Sequence, residues 1–206
     1  MSEGREGMGV SPKSEAPIVF KDFRGDFREA MKAGTVVVRN YIPSEVATAI
    51  TERLLAELRE EKVKIKTGKI LNLRDTGTIP QWNSVVSNIE DQTRMFLPDW
   101  TSEKGFKIYA GSAIRELEEH KDSALVYVVT LSNKADLTYE HRKKRMFAVA
   151  PKKETVELLP GDLTIVRPDI YHRVTPPKDG GIRTIGTVHS PLFDAVRIDQ
   201  ALKAAA

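Results

Sequence analysis

Two residues in the stretch "ELEEHKDSALVYVVTLS" could bind a metal ion together. His120 and Asp122 stand two positions apart at the start of an apolar run, whose composition predicts a buried strand. In an extended segment residues i and i+2 project from the same face, so both side chains could reach one ion. A polar strand end at the surface also explains a lone His-x-Asp pair. A third ligand is needed to favour a metal site.

Among the four histidines of the chain, the best candidate for that third ligand is His172. It follows a predicted strand and a turn at Pro168-Asp169, and it begins another predicted core strand. In an antiparallel barrel, the roughly fifty residues since Asp122 can bring the chain back alongside itself. Two imidazoles and one carboxylate form the ligand set of non-haem Fe(II) oxygenases, in which further metal positions stay open.

A fixed cation near such a metal would anchor an acidic cosubstrate. Arg183 lies on the last predicted strand, "GGIRTIGTVHS", and an arginine can form a bidentate pair with a carboxylate. Its rivals are Arg167, which precedes the candidate ligand, and Arg173, which strand alternation directs away from His172. Taken alone, Arg183 is also explained as a surface arginine. Its order and spacing after the three candidate ligands favour a common site.

The elements that must position these residues change in character along the chain. "TVVVRNYI" (35–42) predicts a strand, and the next segment predicts a helix with Ser44 as its N-cap. "PQWNSVVSNIEDQTRMFL" (80–97) predicts a second helix, and Trp82 and Trp100 are expected to pack in the core or at its rim. The later strand-like runs are "GFKIYAGSAI", "ALVYVVTLS", "RMFAVAP", "ETVELL", "DLTIVRP", "YHRVTPP" and "GIRTIGTVHS". Turn residues such as those of "LSNKAD" and "LPGD" separate these runs, which predicts a β-sandwich or barrel.

This order of elements predicts an α+β fold, in which amino-terminal helices pack on one sheet of a jelly roll. We expect a single domain over residues 17–200, with helical support over 44–97 and a β core over 105–190. Residues 1–16 and 201–206 are expected to be tails.

Composition excludes several classes of function. The chain of 206 residues has a net charge of +3, and its basic and acidic residues are interspersed, so no nucleic-acid partner is expected. The dense basic run "HRKKR" (141–145) predicts a solvated hairpin or loop. No cysteine is present for a disulfide or a thiolate metal site. No apolar run is long enough for a membrane span and no signal peptide is visible, so a cytoplasmic location is the expectation.

With these residues in this order, the sequence resembles the Fe(II)/2-oxoglutarate-dependent oxygenase superfamily. The resemblance rests on "HKD" at 120–122, "YHRV" around His172 and "GIRTI" around Arg183. It extends over "PGDLTIVRPDIYHRVTPPKDGGIRTIG", and "VVVRNYIPSEVATAI" is similar to the first strand and helix of many members. The fold implied is a double-stranded β-helix, which is a jelly roll of the cupin-like kind.

The resemblance also implies roles for individual residues. His120, Asp122 and His172 would bind Fe(II), and Arg183 would pair with the distal carboxylate of 2-oxoglutarate. Tyr109 is a candidate hydrogen-bond donor to the same cosubstrate, with simple core packing as the alternative. Members that halogenate usually lack the carboxylate ligand, so an aspartate favours hydroxylation or a related oxidation.

The reaction implied consumes O2 and 2-oxoglutarate and yields succinate and CO2. A small molecule such as an amino acid or a natural-product intermediate is the expected substrate. The alternatives are a cupin-like module that binds a metal without oxidation, and a metalloenzyme that needs no cosubstrate. The substrate, the type of oxidation and the oligomeric state stay open.

Five further polar residues lie near the predicted site in the sequence. By alternation Glu116 and Glu118 would share the face of His120, which predicts a bulge or loop before the site. Thr187 and His189 have the parity of the arginine on the last strand, so either could face a pocket or its rim. The fifth, His141, lies in the basic run and is expected to be solvated.

Overall fold

The computed structural model describes residues 17–74, 77–111, 119–141, 152–175 and 181–204. Within these ranges the chain forms four helices and nine strands. In chain order they are α1 (Arg24–Ala33), β1 (Thr35–Val38), α2 (Ser44–Glu60), β2 (Ile70–Arg74), α3 (Pro80–Arg94), β3 (Glu103–Ala110), β4 (Leu125–Thr130), β5 (Ala135–Glu140), β6 (Lys153–Leu158), β7 (Leu163–Val166), β8 (His172–Val174), β9 (Ile182–Ser190) and α4 (Ala195–Ala204). The predicted strand "RMFAVAP" (145–151) and the predicted tail 1–16 lie outside the described residues.

Two antiparallel sheets line one cavity. Within the described residues, the larger sheet has six strands in the order β1-β7-β4-β9-β3-β2, and the smaller has the order β6-β5-β8. His120 extends the smaller sheet beside β8, because its backbone exchanges two hydrogen bonds of 3.0 Å with His172. Consecutive strands in the chain alternate between the sheets from β4 onward, apart from the β5–β6 hairpin. This is the predicted α+β jelly roll.

The main hydrophobic core lies between the helices and the outer face of the larger sheet. Trp82 of α3 is fully buried and packs its ring 5.0 Å from that of Phe106 on β3. The indole also lies directly on β9: a Cβ at Gly186 would be 2.2 Å from Trp82 Cη2, so glycine is required for this approach. Trp100 is 1% exposed, which confirms core packing for both tryptophans. The helices therefore hold the back of the sheet, whose front faces the cavity.

The amino-terminal end of α2 differs from the prediction by one residue. The helix starts at Ser44, and Pro43 occupies the N-cap position with φ −56° and ψ 143°. The Pro43 carbonyl accepts hydrogen bonds from the backbone N–H groups of Val46 and Ala47, at 3.1 and 3.2 Å. The prediction of Ser44 as N-cap is wrong because proline, with its fixed φ and no N–H to satisfy, already serves as the boundary residue.

Several elements formed where the sequence pattern predicted none. α1, β2 and α4 have short apolar stripes, and β5 begins inside the run "LSNKAD" that predicted a turn. In β5, Ala135, Leu137 and Tyr139 alternate inward while polar residues stand between them. α4 continues to Ala204, so the segment from residue 201 that was predicted as a tail begins inside a helix. No helix in the described ranges has the length and apolar character of a transmembrane segment.

Candidate active site

The two sheets bring together the three residues predicted to bind a metal. The antiparallel bridge between His120 and His172 places their imidazole rings 4.5 Å apart, centre to centre. Asp122 follows His120 by two residues and directs its carboxylate between the rings: Oδ2 lies 3.4 Å from Nε2 of His172, and Oδ1 lies 4.0 Å from Nε2 of His120. One potential ligand atom from each residue lies within 4.8 Å of the other two.

The environment of His172 suits a metal ligand. Its side chain is 8% exposed, and Nδ1 lies 3.2 Å from the backbone carbonyl oxygen of Ile170. A proton on Nδ1 donates to that carbonyl, which leaves the lone pair of Nε2 directed toward Asp122. Burial lowers the pKa of His172 below its usual value, and the positive charge of Lys107 adds to this, although Asp122 opposes both. The imidazole is therefore held in the neutral form that binds metals.

The three side chains fit a single divalent ion. Ligand atoms about 2.1 Å from one ion lie no more than about 4.2 Å apart. The distances from Asp122, 3.4 Å through Oδ2 and 4.0 Å through Oδ1, are within this limit, and the whole set, within 4.8 Å, would contract slightly around an ion. All three residues also line the cavity described next, so an ion held by them would adjoin it. Two histidines and one carboxylate in a facial arrangement with open positions are typical of non-haem Fe(II) sites.

A cavity of about 240 Å³ adjoins this cluster. Its wall includes side chains of β3, β4, β7 and β9 from the larger sheet and of β5, β6 and β8 from the smaller. Half of the strand positions in the wall are aliphatic, and the other half carry polar or charged groups that can orient a ligand. The predicted residues Tyr109 and Arg183 both lie in this wall, together with the three candidate ligands. One cavity thus contains all five predicted site residues.

Arg183 carries an uncompensated charge in the cavity. It is 1% exposed, and within the described residues its Nε and Nη2 atoms have no hydrogen-bond partner. Burial lowers the pKa of Arg183 to about 10, so the guanidinium stays charged at neutral pH. Buried charged donors without acceptors are costly, and they persist where a ligand supplies the acceptor. The donor set fits an anion, and a carboxylate could accept two of its N–H groups at once.

Tyr109 lies beside this guanidinium. The two residues are opposite each other in the β3–β9 register, and Arg183 Cζ lies 5.5 Å from the centre of the tyrosine ring. Tyr109 is 6% exposed, and burial raises the pKa of its hydroxyl above the usual value. A protonated hydroxyl on the cavity wall can donate a hydrogen bond to the same anion as Arg183.

The two rival arginines do not line the cavity. Arg167 is fully buried elsewhere, where it donates to Asp169 at 2.7 Å and lies 3.1 Å from Asp199 of α4. Arg173 alternates with His172 along β8, as the sequence predicted, and is absent from the lining. The surface explanation of Arg183 is excluded by its burial.

The other polar residues have varied positions. Thr187 and His189 do line the cavity; the threonine hydroxyl donates to the Gly105 carbonyl at 3.3 Å, and the imidazole lies 3.6 Å from a Glu103 carboxylate oxygen. The His141 side chain is 33% exposed, and its Nε2 lies 2.8 Å from a Glu154 carboxylate oxygen. Glu116, Glu118 and most of the basic run 141–145 lie outside the described residues.

The sequence pattern missed three polar residues of the cavity wall, Lys107, Ser123 and Thr164. Lys107 has the parity of Tyr109 on β3, so alternation could have found it. Thr164 of β7 is 2% exposed, and its Oγ1 has no hydrogen-bond partner within the described ranges. It lies in "DLTIV", a run that is buried on both faces, and nothing in such a run distinguishes the cavity side from the helix side.

Comparisons with known proteins found similar folds but no similar sequence. No protein-family model and no curated protein sequence matches this chain. Among solved structures, a prolyl-4-hydroxylase from Pseudomonas putida is similar with a TM-score of 0.64 and 14% identity, over 85% of this chain and 98% of that one. The α-ketoglutarate-dependent carbocyclase SnoK from nogalamycin biosynthesis is similar with a TM-score of 0.62 and 12% identity, over 79% and 81% of the two chains.

A third similar structure is HygX from Streptomyces hygroscopicus, with nickel and 2-oxoglutarate bound. Its TM-score is 0.58 and its identity 13%, over 82% of this chain and 87% of that chain. These likenesses confirm the predicted fold, a double-stranded β-helix. At such identities the likeness shows the fold, and the function has to be argued from the site.

Proposed function

We propose that this protein is an Fe(II)/2-oxoglutarate-dependent dioxygenase that hydroxylates or otherwise oxidises a small molecule. The observation that carries the proposal is the buried Arg183 guanidinium, whose Nε and Nη2 have no partner in the described chain, in the same cavity as the His120–Asp122–His172 cluster. A metal-binding module without a cosubstrate has no use for this cation. A dicarboxylate that chelates the metal with one end would place its other end at such a charge.

The three ligands would hold Fe(II) at the cavity wall. When bound, the iron supplies the activation of O2 that couples decarboxylation of 2-oxoglutarate, to succinate and CO2, with oxidation of a substrate carbon. Ile170 fixes the tautomer of His172 through its carbonyl oxygen, so the ligand atom is Nε2. Asp122 contributes a negative charge, which compensates part of the metal's charge in a cavity of low polarity.

Arg183 and Tyr109 would hold the end of 2-oxoglutarate that is remote from the metal. The guanidinium can donate its free N–H groups to both oxygens of that carboxylate, and the tyrosine hydroxyl can add a further hydrogen bond. Both side chains stand on neighbouring strands of the larger sheet, so their spacing is fixed by the backbone register. This preorganisation would keep the cosubstrate in one orientation before O2 binds.

Ligands bound in similar structures support the cofactor assignment. HygX was solved with nickel and 2-oxoglutarate bound, and the epimerase SnoN was solved with Fe3+, α-ketoglutarate and a nogalamycin derivative. SnoN is similar to this chain with a TM-score of 0.59 and 12% identity. Small-molecule substrates on this fold support the proposal of one here, and residues 17–200 are proposed to act as one domain.

The test is a spectroscopic titration without oxygen. Purified protein with Fe(II) and 2-oxoglutarate should show a weak visible charge-transfer band, because the cosubstrate chelates the ion through its keto acid end. His172→Ala should abolish the band. A matched control is His141→Ala, which removes an imidazole that binds Glu154 away from the cavity and should leave the band intact.

Three outcomes separate the proposal from its alternatives. A band with Fe(II) and 2-oxoglutarate, together with succinate formed in air, supports the dioxygenase. Metal binding without a band would instead indicate a cupin-like module. Oxidation of a substrate without 2-oxoglutarate would indicate a metalloenzyme that needs no cosubstrate, and either result would contradict the proposal.

A further inference from the structure

A second cation projects into the cavity on the face that Tyr109 occupies. Lys107 is two residues before Tyr109 on β3 and pairs with Ile185 of β9, so it stands one step further along the strand from the Tyr109–Arg183 pair. Successive residues on one face of a strand are about 7 Å apart. Lys107 is half-buried, and its Nζ has no hydrogen bond or ion pair with any described residue.

Another lysine on the same strand shows how an ammonium group is normally paired. Lys104 faces the helices instead of the cavity, and its Nζ donates to Asn83 Oδ1 of α3 at 3.0 Å. A partly buried ammonium with no acceptor loses hydration without compensation. Lys107 thus resembles Arg183 in having N–H donors that no described residue accepts, although Lys107 is partly exposed and Arg183 is 1% exposed.

The charges in the cavity wall show which ligand is missing. Among the described lining residues, Lys107 and Arg183 are the fixed cations and Asp122 is the carboxylate, so these three groups leave an excess of one positive charge. A divalent metal adds two positive charges, and the 2-oxoglutarate dianion balances both. The excess of one remains after metal and cosubstrate have bound. Arg183 is then paired with the cosubstrate, which leaves Lys107.

We propose, on the basis of the dioxygenase function above, that the substrate to be oxidised carries an anionic group, a carboxylate or a phosphate monoester, which binds Lys107 Nζ. Lysine suits either group, because its ammonium is a compact point charge without the fixed fork of arginine. The cavity of about 240 Å³ must also hold 2-oxoglutarate, so the anionic end of the substrate is small and enters it close to the metal. Lys107 is thus a specificity-determining residue.

The first experiment asks whether Lys107 belongs to the cosubstrate instead. The charge-transfer band is titrated with 2-oxoglutarate in the wild type and in Lys107→Met, which keeps the length of the stem and removes the charge. The half-saturating concentration should change by no more than about twofold, since the proposed ion pair is with a different ligand. A rise of about tenfold or more would assign Lys107 to the cosubstrate and overturn the inference.

The second experiment tests the charge of the substrate. The probes are N-acetyl amino acids and sugar phosphates, each paired with its neutral carboxamide or free sugar, and the readout is stimulation of succinate formation in air. Anionic members alone should stimulate, and in Lys107→Met the kcat/KM of the stimulating probe should fall about ten- to a hundredfold, as for a lost charge-assisted hydrogen bond. Lys107→Arg should restore part of it. Lys104→Met removes a charge from the other face of β3 and should leave stimulation unchanged.

The outcomes separate this inference from the proposed function. Without a band in the wild type, the dioxygenase assignment fails and the inference fails with it. With a band present, stimulation by the neutral partners, equal stimulation in Lys107→Met and wild type, or no stimulation by any anionic probe each overturns the inference alone. Carboxylates and phosphates are distinguished by which set of probes stimulates.

Discussion

Within the described ranges two arginines are fully buried, and they differ in whether their N–H groups have acceptors. Arg167, directly after β7, donates to Asp169 at 2.7 Å, lies 3.1 Å from Asp199 and also reaches two backbone carbonyl oxygens. Arg183, in β9, has no hydrogen-bond partner for Nε or Nη2 in the described part of the chain. The same side chain is compensated by the fold at one position and left uncompensated at the other.

This difference separates a structural charge from a functional one. Arg167 connects the end of β7 to α4 through Asp199 and to α1 through the Met31 carbonyl, so its charge joins elements that are distant in the sequence. A buried ion pair of this kind is costly to break from one side. Arg183 instead retains in the free protein the unfavourable free energy of an unpaired buried charge, which binding of an anion would relieve. Substitution of each arginine should therefore affect a different measurement.

The largest expected effect is on cosubstrate binding in Arg183→Met. Loss of two charge-assisted hydrogen bonds should weaken 2-oxoglutarate binding by about 4 kcal/mol, which is about a thousandfold. The measurement is the anaerobic charge-transfer titration with Fe(II) present. Metal binding should stay nearly intact, because Arg183 contacts none of the three ligands. Arg173→Met is the matched control: it removes an arginine next to His172 that does not line the cavity, and it should leave the titration unchanged.

The next effect is on folding, in Arg167→Met. Removal of this guanidinium takes one donor away from Asp169, Asp199 and two carbonyl oxygens, so the free energy of unfolding should fall by about 3 kcal/mol. This expected loss of stability is at the low end for a buried ion pair, because the side chains of Asp169 and Asp199 are 32% and 39% exposed. Urea denaturation of the metal-free protein measures it. A change below 1 kcal/mol, on the order of a surface pair, would show that Arg167 is not structural.

The third expected effect is an increase in stability, opposite in sign to the effect of Arg167→Met. In metal-free protein without cosubstrate, Arg183→Met should raise the free energy of unfolding by about 2 kcal/mol, because an apolar side chain replaces a buried charge that has no partner. With saturating metal and 2-oxoglutarate, the wild type should become more stable than Arg183→Met. 2-Oxoglutarate at a hundred times its Kd for the wild type stabilises the wild type by about 2.7 kcal/mol and the variant hardly at all. If Arg183→Met destabilises the ligand-free protein as Arg167→Met does, the contrast between the two arginines is refuted.

Alternation along strands explains part of the predicted site. Tyr109 and Arg183 lie on regular strands, β3 and β9, whereas His120 makes an isolated bridge beside β8 and Asp122 follows it outside any strand, before β4 begins. Lys107 follows from the same rule applied to Tyr109. Local periodicity is therefore informative for residues that project from regular strands.

The sequence could not separate the two arginines by their compensation. Arg167 stands in "TIVRPD" and Arg183 in "GGIRTIG", and both read as strand residues in apolar runs. The partner Asp199 lies on α4, a helix that the pattern did not predict, so the ion pair depends on tertiary packing. β5 was missed for a related reason: "LSNKAD" has turn residues, but Ala135 already belongs to the strand that pairs with β6. Packing overrode local propensity in both places.

The smallest expected effect extends the comparison to two buried tyrosines of the larger sheet. The hydroxyl of Tyr109 faces the cavity beside Arg183, whereas that of Tyr127 accepts a hydrogen bond of 2.7 Å from Thr93 on the helix side. Tyr109→Phe should weaken 2-oxoglutarate binding about tenfold, because it removes one donor to a carboxylate, and should leave stability nearly unchanged. Tyr127→Phe should do the reverse, with a loss of about 1 kcal/mol on urea denaturation and an unaltered titration. If both variants changed only stability, Tyr109 would be a packing residue. The contrast between residues that stabilise the fold and residues that bind ligand would then be supported by the two arginines alone.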